Sequence, residues 1–218
     1  MHFQPPLNQS IKRALRWSNI RKHLVDPPKQ FVSVASFPAI NEPYRSLMKY
    51  WLPGILLLIV LTGLIPAEEM NIPVKGATKA DWNHKTFWYG PWGSSGVHKG
   101  IDIFGLRDQP VVAATAGLVV SVRNLSKGGK VVYVLGPKWR IHYYAHLNSQ
   151  MVFVGQWLSP GEVIGSLGDS GNAAGKPPHL HYSIMSLLPM PWRITFETQG
   201  WKKMFYLSPH KKLINLKK

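Results

Sequence analysis

The pattern of apolar and polar positions divides the chain into a polar, basic leading stretch, one long apolar run and a region of short apolar segments. Between Lys49 and Glu68 lie 18 consecutive uncharged residues, 50–67, with the apolar centre Gly54-Ile55-Leu56-Leu57-Leu58-Ile59-Val60-Leu61-Thr62-Gly63-Leu64-Ile65. At about 1.5 Å per residue a helix of this length spans roughly 27 Å, just enough for the hydrocarbon layer of a bilayer. Arg45, Lys49, Tyr50 and Trp51 precede the run, and Glu68 and Glu69 follow it. The positive-inside tendency then keeps residues 1–49 cytoplasmic and exports the rest. A buried core helix competes with this reading, because the run is short and holds Pro53. A cleaved signal peptide would need a basic leader of 49 residues and a cut at Ile65-Pro66-Ala67, a poor small-x-small site. The run is therefore read as one uncleaved transmembrane helix anchoring the chain in the cytoplasmic membrane.

Ahead of it, residues 10–24 pattern as a short basic helix, with Ile11, Leu15 and Trp17 among Lys12, Arg13, Arg16, Arg21 and Lys22, ended by Pro27-Pro28. Such a segment either lies on the inner membrane surface or frays in solvent. Residues 68–86 read as a polar linker whose 19 residues extend at most about 65 Å. From Phe87 onward the pattern changes to β-rich segments punctuated by Gly, Pro, Asn and Asp. Residues 111–115, 117–123, 130–135, 140–147, 162–167 and 180–185 favour strands through their Val, Ile, Tyr and Leu content, and no comparable helical stretch lies between them. The expected fold is mainly β: an antiparallel sheet domain with long loops over residues 87–186, and a basic, aromatic extension over 187–218.

Composition narrows the function. A chain of 218 residues suits one domain plus extensions, and 45% apolar with 11% aromatic residues is enough to bury a core. The absence of Cys excludes thiolate metal sites, Cys nucleophiles and a disulfide-stapled scaffold. Twenty-six Lys and Arg against 10 Asp and Glu leave a net charge of +16, with +6 in residues 1–50 (8 minus 2) and +6 in residues 193–218 (7 minus 1). That charge fits an anionic membrane surface, an acidic polymer or nucleic acid. No zinc-finger or RRM signature accompanies it, and export of the β-rich region opposes a nucleic-acid partner.

Six of the nine His fall between positions 84 and 181, and the four that matter most sit in three compact motifs. In His98-Lys99-Gly100-Ile101-Asp102 a loop enters a strand, and positions four apart share a strand face. In His179-Leu180-His181 period-two geometry puts both imidazoles on one face while Leu180 points into the core. In His142-Tyr143-Tyr144-Ala145-His146 a regular strand would place 142, 144 and 146 together. One carboxylate and several imidazoles are the inventory of a catalytic zinc with three protein ligands and an open water position, the remaining imidazoles serving proton transfer or an oxyanion. There is no His-Glu-x-x-His helix.

His98-x-x-x-Asp102, Tyr144-Ala145-His146-Leu147 and His179-Leu180-His181, in that order, resemble the lysostaphin-like (LytM-type) zinc metallopeptidases of bacterial peptidoglycan. Between them stand the similar Val111-Val112-Ala113-Ala114 with Gly117, and Gly168-Asp169-Ser170-Gly171-Asn172; the resemblance covers about residues 87–186. It implies an antiparallel sheet floor with loops walling a narrow groove. It also implies Zn2+ held by His98, Asp102 and His181, with His146 and His179 as catalytic imidazoles. The implied activity is endopeptidase cleavage of peptidoglycan peptide bonds, chiefly cross-links, on the outer side of the bacterial cytoplasmic membrane, with water on the metal attacking a polarised carbonyl. Tyr144 is a candidate substrate-binding residue. His142 has no counterpart in the pattern. Two departures, Ser126-Lys127-Gly128-Gly129 where the family often has Gly-Tyr-Gly-Asn, and Pro177-Pro178 before the last motif, bear on the groove and its substrate preference. The rival reading is a non-catalytic peptidoglycan-binding or amidase-activating module of the same fold, whose members typically lack a ligand that this chain retains. Trp82, Phe87, Trp88, Tyr89 and Trp92 are expected either as a groove wall or as a hydrophobic lid.

Overall fold

The computed structural model describes residues 42–214, so the basic segment expected over 10–24 and the last lysines lie outside the described residues. The chain divides into two units, residues 1–49 and 50–218. Helix α1 runs Glu42–Leu64 and accommodates Pro53. It ends there because Ile65 precedes a proline, whose ring disfavours the helical conformation of the residue before it. The apolar part from Tyr50 is thus 15 helical residues, about 22 Å long, rather than the full run 50–67. Among the described residues no helix is long and apolar enough to cross a membrane. Near its end α1 meets Trp139: the Trp139 Nε1–H donates to the Val60 carbonyl at 2.9 Å, and its indole fills the space beside Gly63 that a Cβ would occupy.

The stretch expected as a free linker over 68–86 is fastened to the sheet in its first half. Val74 is completely buried, Met70, Ile72 and Ala77 pack on the core, and Val74 forms a β-bridge with Val111. Backbone bonds run from Asn71 N–H to Ala114 O (2.7 Å) and from Lys75 N–H to Pro110 O (3.0 Å). The polar look of the segment conceals alternate apolar residues, Met70, Ile72 and Val74, the period of an edge strand.

Glu68 opens this segment. Its side chain is 4% exposed, and Oε2 accepts bonds from the Arg140 guanidinium and, at 2.7 Å, from Lys212 Nζ. Its Oε1 lies 3.9 Å from the Nε2 of His142, and neither atom has a partner. The two cations already neutralise the carboxylate, so His142 stays uncharged. Burial, with Arg140 and Lys212 adding to it, pushes its pKa down to about 3, while its Nδ1 pairs with the Tyr182 hydroxyl at 2.7 Å. The unfolded chain, with His142 near its ordinary 6.5, therefore binds a proton that the folded chain refuses. Stability is kept above about pH 6.5 and falls as pH drops toward 3, by up to about 1.4 kcal/mol per pH unit. Urea unfolding at pH 7 and 4.5 should show a shallower loss in the His142→Phe, Tyr182→Phe double variant than in the parent. An identical slope in the two proteins would contradict a neutral buried His142.

The sheet holds nine strands among the described residues: β1 (Ile101–Phe104), β2 (Pro110–Val112), β3 (Gly117–Leu125), β4 (Gly129–Gly136), β5 (Arg140–Gln150), β6 (Trp157–Leu158), β7 (Val163–Leu167), β8 (His179–Ser186) and β9 (Tyr206–Leu207). Its main order is β1-β8-β5-β4-β3-β6, all pairs antiparallel, with β2 on β7, β7 on β5 and β9 on β8. Alternation decides the two faces. Ile101, Ile103, Val132, Val134, Tyr144, Leu180, Tyr182 and Ile184 are fully buried on one side, leaving Asp102, Tyr143, Ala145, His179, His181 and Ser183 for the other. The extension beyond Ser186 belongs to the same body. Strand β9 and helix α2 (Pro209–Leu213) bury Leu207 and Leu213 in the core, and the Trp82 Nε1–H donates to His210 Nδ1 at 3.1 Å.

Candidate metal centre and groove

Register brings the distant motifs together. Strands β1 and β8 pair so that Asp102 stands opposite His181, and Ala145 of β5 stands opposite His181 on the other side. His98 precedes β1, and its ring turns back over Asp102. His98 Nε2, Asp102 Oδ1 and His181 Nδ1 converge, at 3.1, 3.0 and 2.9 Å from one another. A carbonyl can only accept, so Nδ1 of His98, 3.2 Å from the Thr86 carbonyl, carries the proton and Nε2 presents its lone pair. That lone pair faces a carboxylate oxygen and a second ring nitrogen. Such a gathering of acceptors is repulsive unless a cation sits among them, and an N, N, O donor set at these spacings suits zinc, whose ligand distances are about 2.0–2.2 Å. Among the described residues this is the one group of His, Asp or Glu placed to share an ion. Burial alone would raise the Asp102 pKa, but the neighbouring His181 and His98 rings outweigh it and hold the carboxyl well below its usual range. Burial lowers the His181 pKa, against the opposing pull of Asp102.

The other two imidazoles come from different irregularities. His179 lies on β8 two residues before His181, on the same face as the period requires, and its Nδ1 is 2.8 Å from the Pro177 carbonyl. His146 does not share a face with His142 and Tyr144. Its backbone φ is +64°, and the pairing of β5 with its neighbours slips around this point, between Lys130 and Val132 and between Leu147 and Ser149. The irregularity inserts one residue into the alternation, so Ala145 and His146 both reach the groove and Leu147 returns to the core. His142 and Tyr144 stay behind the sheet. Tyr144 is fully buried against Tyr182 and accepts a bond from the Ala114 N–H at 2.9 Å. The candidate substrate-binding role for Tyr144 is corrected accordingly: its ring is a core element, because strand parity upstream of the bulge points it inward.

His146 Nδ1 is 2.8 Å from the Ser170 carbonyl, and the His146 backbone N–H donates to Gly128 O at 2.8 Å. Both outer imidazoles therefore keep Nδ1–H on a carbonyl and present Nε2 to the groove, with ring centroids 5.1 Å apart. Burial pushes the His146 pKa down to about 4, the Ser170 carbonyl resisting, so the ring is a neutral base at neutral pH. These fixing carbonyls of Thr86, Ser170 and Pro177 carry no signal in composition, since any residue supplies one.

The groove consists of two adjoining hollows of about 300 and 580 Å³ that share Trp92, Ser95, Lys127, His146, Asn172 and His181. The aromatic cluster splits between the two roles expected of it. Trp82 and Trp88 are buried, whereas Trp92 lies flat against His98 with centroids 4.2 Å apart and forms a groove wall. Lys99 and Lys127 line one hollow, Lys127 and Lys176 the other. Burial lowers the Lys99 pKa, and the nearby Lys202 and Lys127 lower it further.

Residues 96–189 match the family model described as Peptidase family M23. This segment is a peptidase M23 domain. The match begins two residues before His98 and contains every member of the cluster and both outer imidazoles. Members of the family are zinc-dependent, in keeping with the His98, Asp102, His181 donor set of this M23 domain. Curated relatives include the L-Ala--D-Glu endopeptidase of Bacillus subtilis, 36% identical over 116 residues that make up 49% of this chain and 35% of that protein. Lysostaphin of Staphylococcus staphylolyticus is 30% identical over 106 residues, 46% of this chain and 22% of that protein. The chain thus spans about a third or less of the length of these relatives. A LytM-type protein from Ruminococcus gnavus has the same fold, with a TM-score of 0.50 and 24% identity, over 80% of this chain and 72% of that one.

Proposed function

We propose that this protein is a zinc-dependent endopeptidase that hydrolyses peptide bonds of bacterial peptidoglycan outside the cytoplasm. The observation that carries the reading is the convergence of three metal-type donors beside two imidazoles whose free nitrogens face the same groove. His98, Asp102 and His181 would hold the ion. Bound there, zinc acidifies water and polarises a carbonyl. His146 Nε2, neutral and presented to the groove, takes the proton from the attacking water. An imidazole whose Nδ1–H is committed to a carbonyl can donate from Nε2 only after gaining a proton. The proton accepted during attack is therefore the one available to the developing oxyanion or the leaving amine, and His179, 5.1 Å from His146, completes that relay. The retained ligand set speaks against a purely binding module, which has no use for three converging acceptors and two oriented bases.

We infer in addition that the apolar run 50–67 attaches the chain to the cytoplasmic membrane, with the M23 domain outside. Leu52, Ile55, Leu56, Leu57, Leu58, Ile59 and Leu61 are all exposed on α1, an unbroken apolar surface that water disfavours, and basic residues precede it. One experiment addresses both readings. Full-length protein is recovered from alkali-washed membranes and incubated with purified sacculi, with and without chelator, and released fragments are identified by mass spectrometry. Zinc-dependent release of peptide-cleaved fragments by the membrane fraction is expected. Cleavage unaffected by chelator would refute the metal reading, and recovery of the protein in the alkaline supernatant would refute attachment.

A further inference from the structure

The groove carries a charge pattern that the catalytic apparatus does not use. Among the described residues Asp102 is the one carboxylate that lines either hollow, and it belongs to the metal cluster. Three other carboxylates are matched to cations, Glu68 to Arg140 and Lys212, Asp169 to Arg107 and Glu197 to Lys203, while Asp81, Asp108 and Glu162 accept from uncharged donors. Lys99, Lys127 and Lys176 have no carboxylate partner among the described residues, although all three line the groove. The Lys99 ammonium rests on the carbonyls of Ser95 (3.0 Å) and Val97, and Lys127 and Lys202 stand within Coulomb reach of it. Lys127 is the one lysine common to both hollows. It sits on the β3–β4 turn Ser126-Lys127-Gly128-Gly129, which is pinned to the groove loop through its own carbonyl, an acceptor from Asn172 N–H at 2.9 Å, and through Gly128 O to His146. Gly129, at φ +63°, lies so close to Ser170 and Gly171 that any Cβ would collide with them, which holds the turn against that loop. A flexible surface lysine is ordinarily free to turn away, but the backbone under this one is fixed beside the catalytic imidazole. With a divalent cation bound by Asp102, no described residue of the groove supplies a further negative charge to offset three ammonium groups.

We propose that this groove selects peptides bearing free carboxylates next to the scissile bond, with Lys127 and Lys176 as the residues that bind them, and disfavours neutral bridges such as oligoglycine. The inference rests on the endopeptidase reading and narrows its substrate to acidic stem peptide. Lysine suits this task as a mobile point charge, adjustable to carboxylates at slightly different depths. Because both lysines are exposed, their attraction is screened by salt and reads out mainly in binding.

The test uses the zinc-loaded full chain and three synthetic substrates: a cross-linked stem-peptide dimer with free carboxylates, the same dimer with those carboxylates amidated, and pentaglycine. The free-carboxylate dimer should show a kcat/KM about tenfold above the amidated one, a gap of about 1.4 kcal/mol that closes between low and high salt. Lys127→Met and Lys176→Met should each raise KM several-fold for the free-carboxylate dimer alone and leave kcat nearly unchanged. Calorimetric titration of the same peptides into His146→Asn protein, which cannot turn them over, should rank them in the same order. Equal kcat/KM for free and amidated dimers, or a preference for pentaglycine, would overturn the inference and leave the endopeptidase reading standing. Failure to cleave all three with zinc bound would remove that reading and the inference together.

Discussion

His98→Ala protein is expected to lose zinc and hydrolysis together. His98 is 1% exposed, its Nδ1–H is held by the Thr86 carbonyl, and its other face is covered by Trp92, so no neighbouring side chain can swing in to replace its Nε2. Two donors, Asp102 Oδ1 and His181 Nδ1, would remain 2.9 Å apart. Removing even an outer partner of a metal ligand typically weakens binding about 10–100-fold, so loss of a ligand should exceed that, and the rate should fall to background. Truncating a buried ring also leaves a void, which costs roughly 2–5 kcal/mol at comparable sites and offers a second cause for the loss. His181→Ala separates the two explanations, because His181 sits on the groove side of β8 where the space opens to solvent. Metal content by elemental analysis, circular dichroism and hydrolysis should move alike in the two variants: near-native fold, little zinc, no turnover. Stoichiometric zinc with retained hydrolysis in either one would defeat the assignment.

Replacing His146 should do the opposite to the metal. In His146→Asn, zinc should stay near one per chain while kcat falls about 10²–10⁴-fold, the usual contribution of a positioned general base. Asn is the informative substitute because His146 occupies the left-handed region at φ +64°, which Asn tolerates better than most residues, so the bulge that aims this position survives. Its shorter side chain cannot present a basic nitrogen where Nε2 stood. His179→Ala should resemble it in direction, with zinc retained and kcat reduced. A KM rise with unchanged kcat in the His146 variant would mean that the ring binds substrate and moves no proton, and the relay described above would have to be abandoned.

Much of this arrangement was legible along the chain. His179-Leu180-His181 on a strand must put two imidazoles on one face, and Val97, Ile101 and Ile103 around Gly100 announce a loop entering a strand, as β1 confirms. Most core strands coincide with β-branched and aromatic segments, and only the two-residue strands β6 and β9 carry too few residues to show a period. The His142, Tyr144, His146 alignment failed for one reason: alternation holds only while the strand is regular, and the bulge at His146 is set by pairing with β4 and β7. Nothing in the local residues marks it. Residues 70–77 misled in the opposite way, because a strand at the margin needs only every second residue apolar and reads as a polar linker.

By itself, then, the order of residues determined the donor types, the sheet class and the spacing of side chains within each motif, since these follow from covalent chemistry and a period of two. The tertiary structure alone decided which motifs meet. Antiparallel register laid Asp102 beside His181, three backbone carbonyls chose the tautomers, and an inserted residue turned His146 outward while leaving Tyr144 in the core. Those outcomes depend on contacts between positions far apart in the chain, and no local preference encodes them.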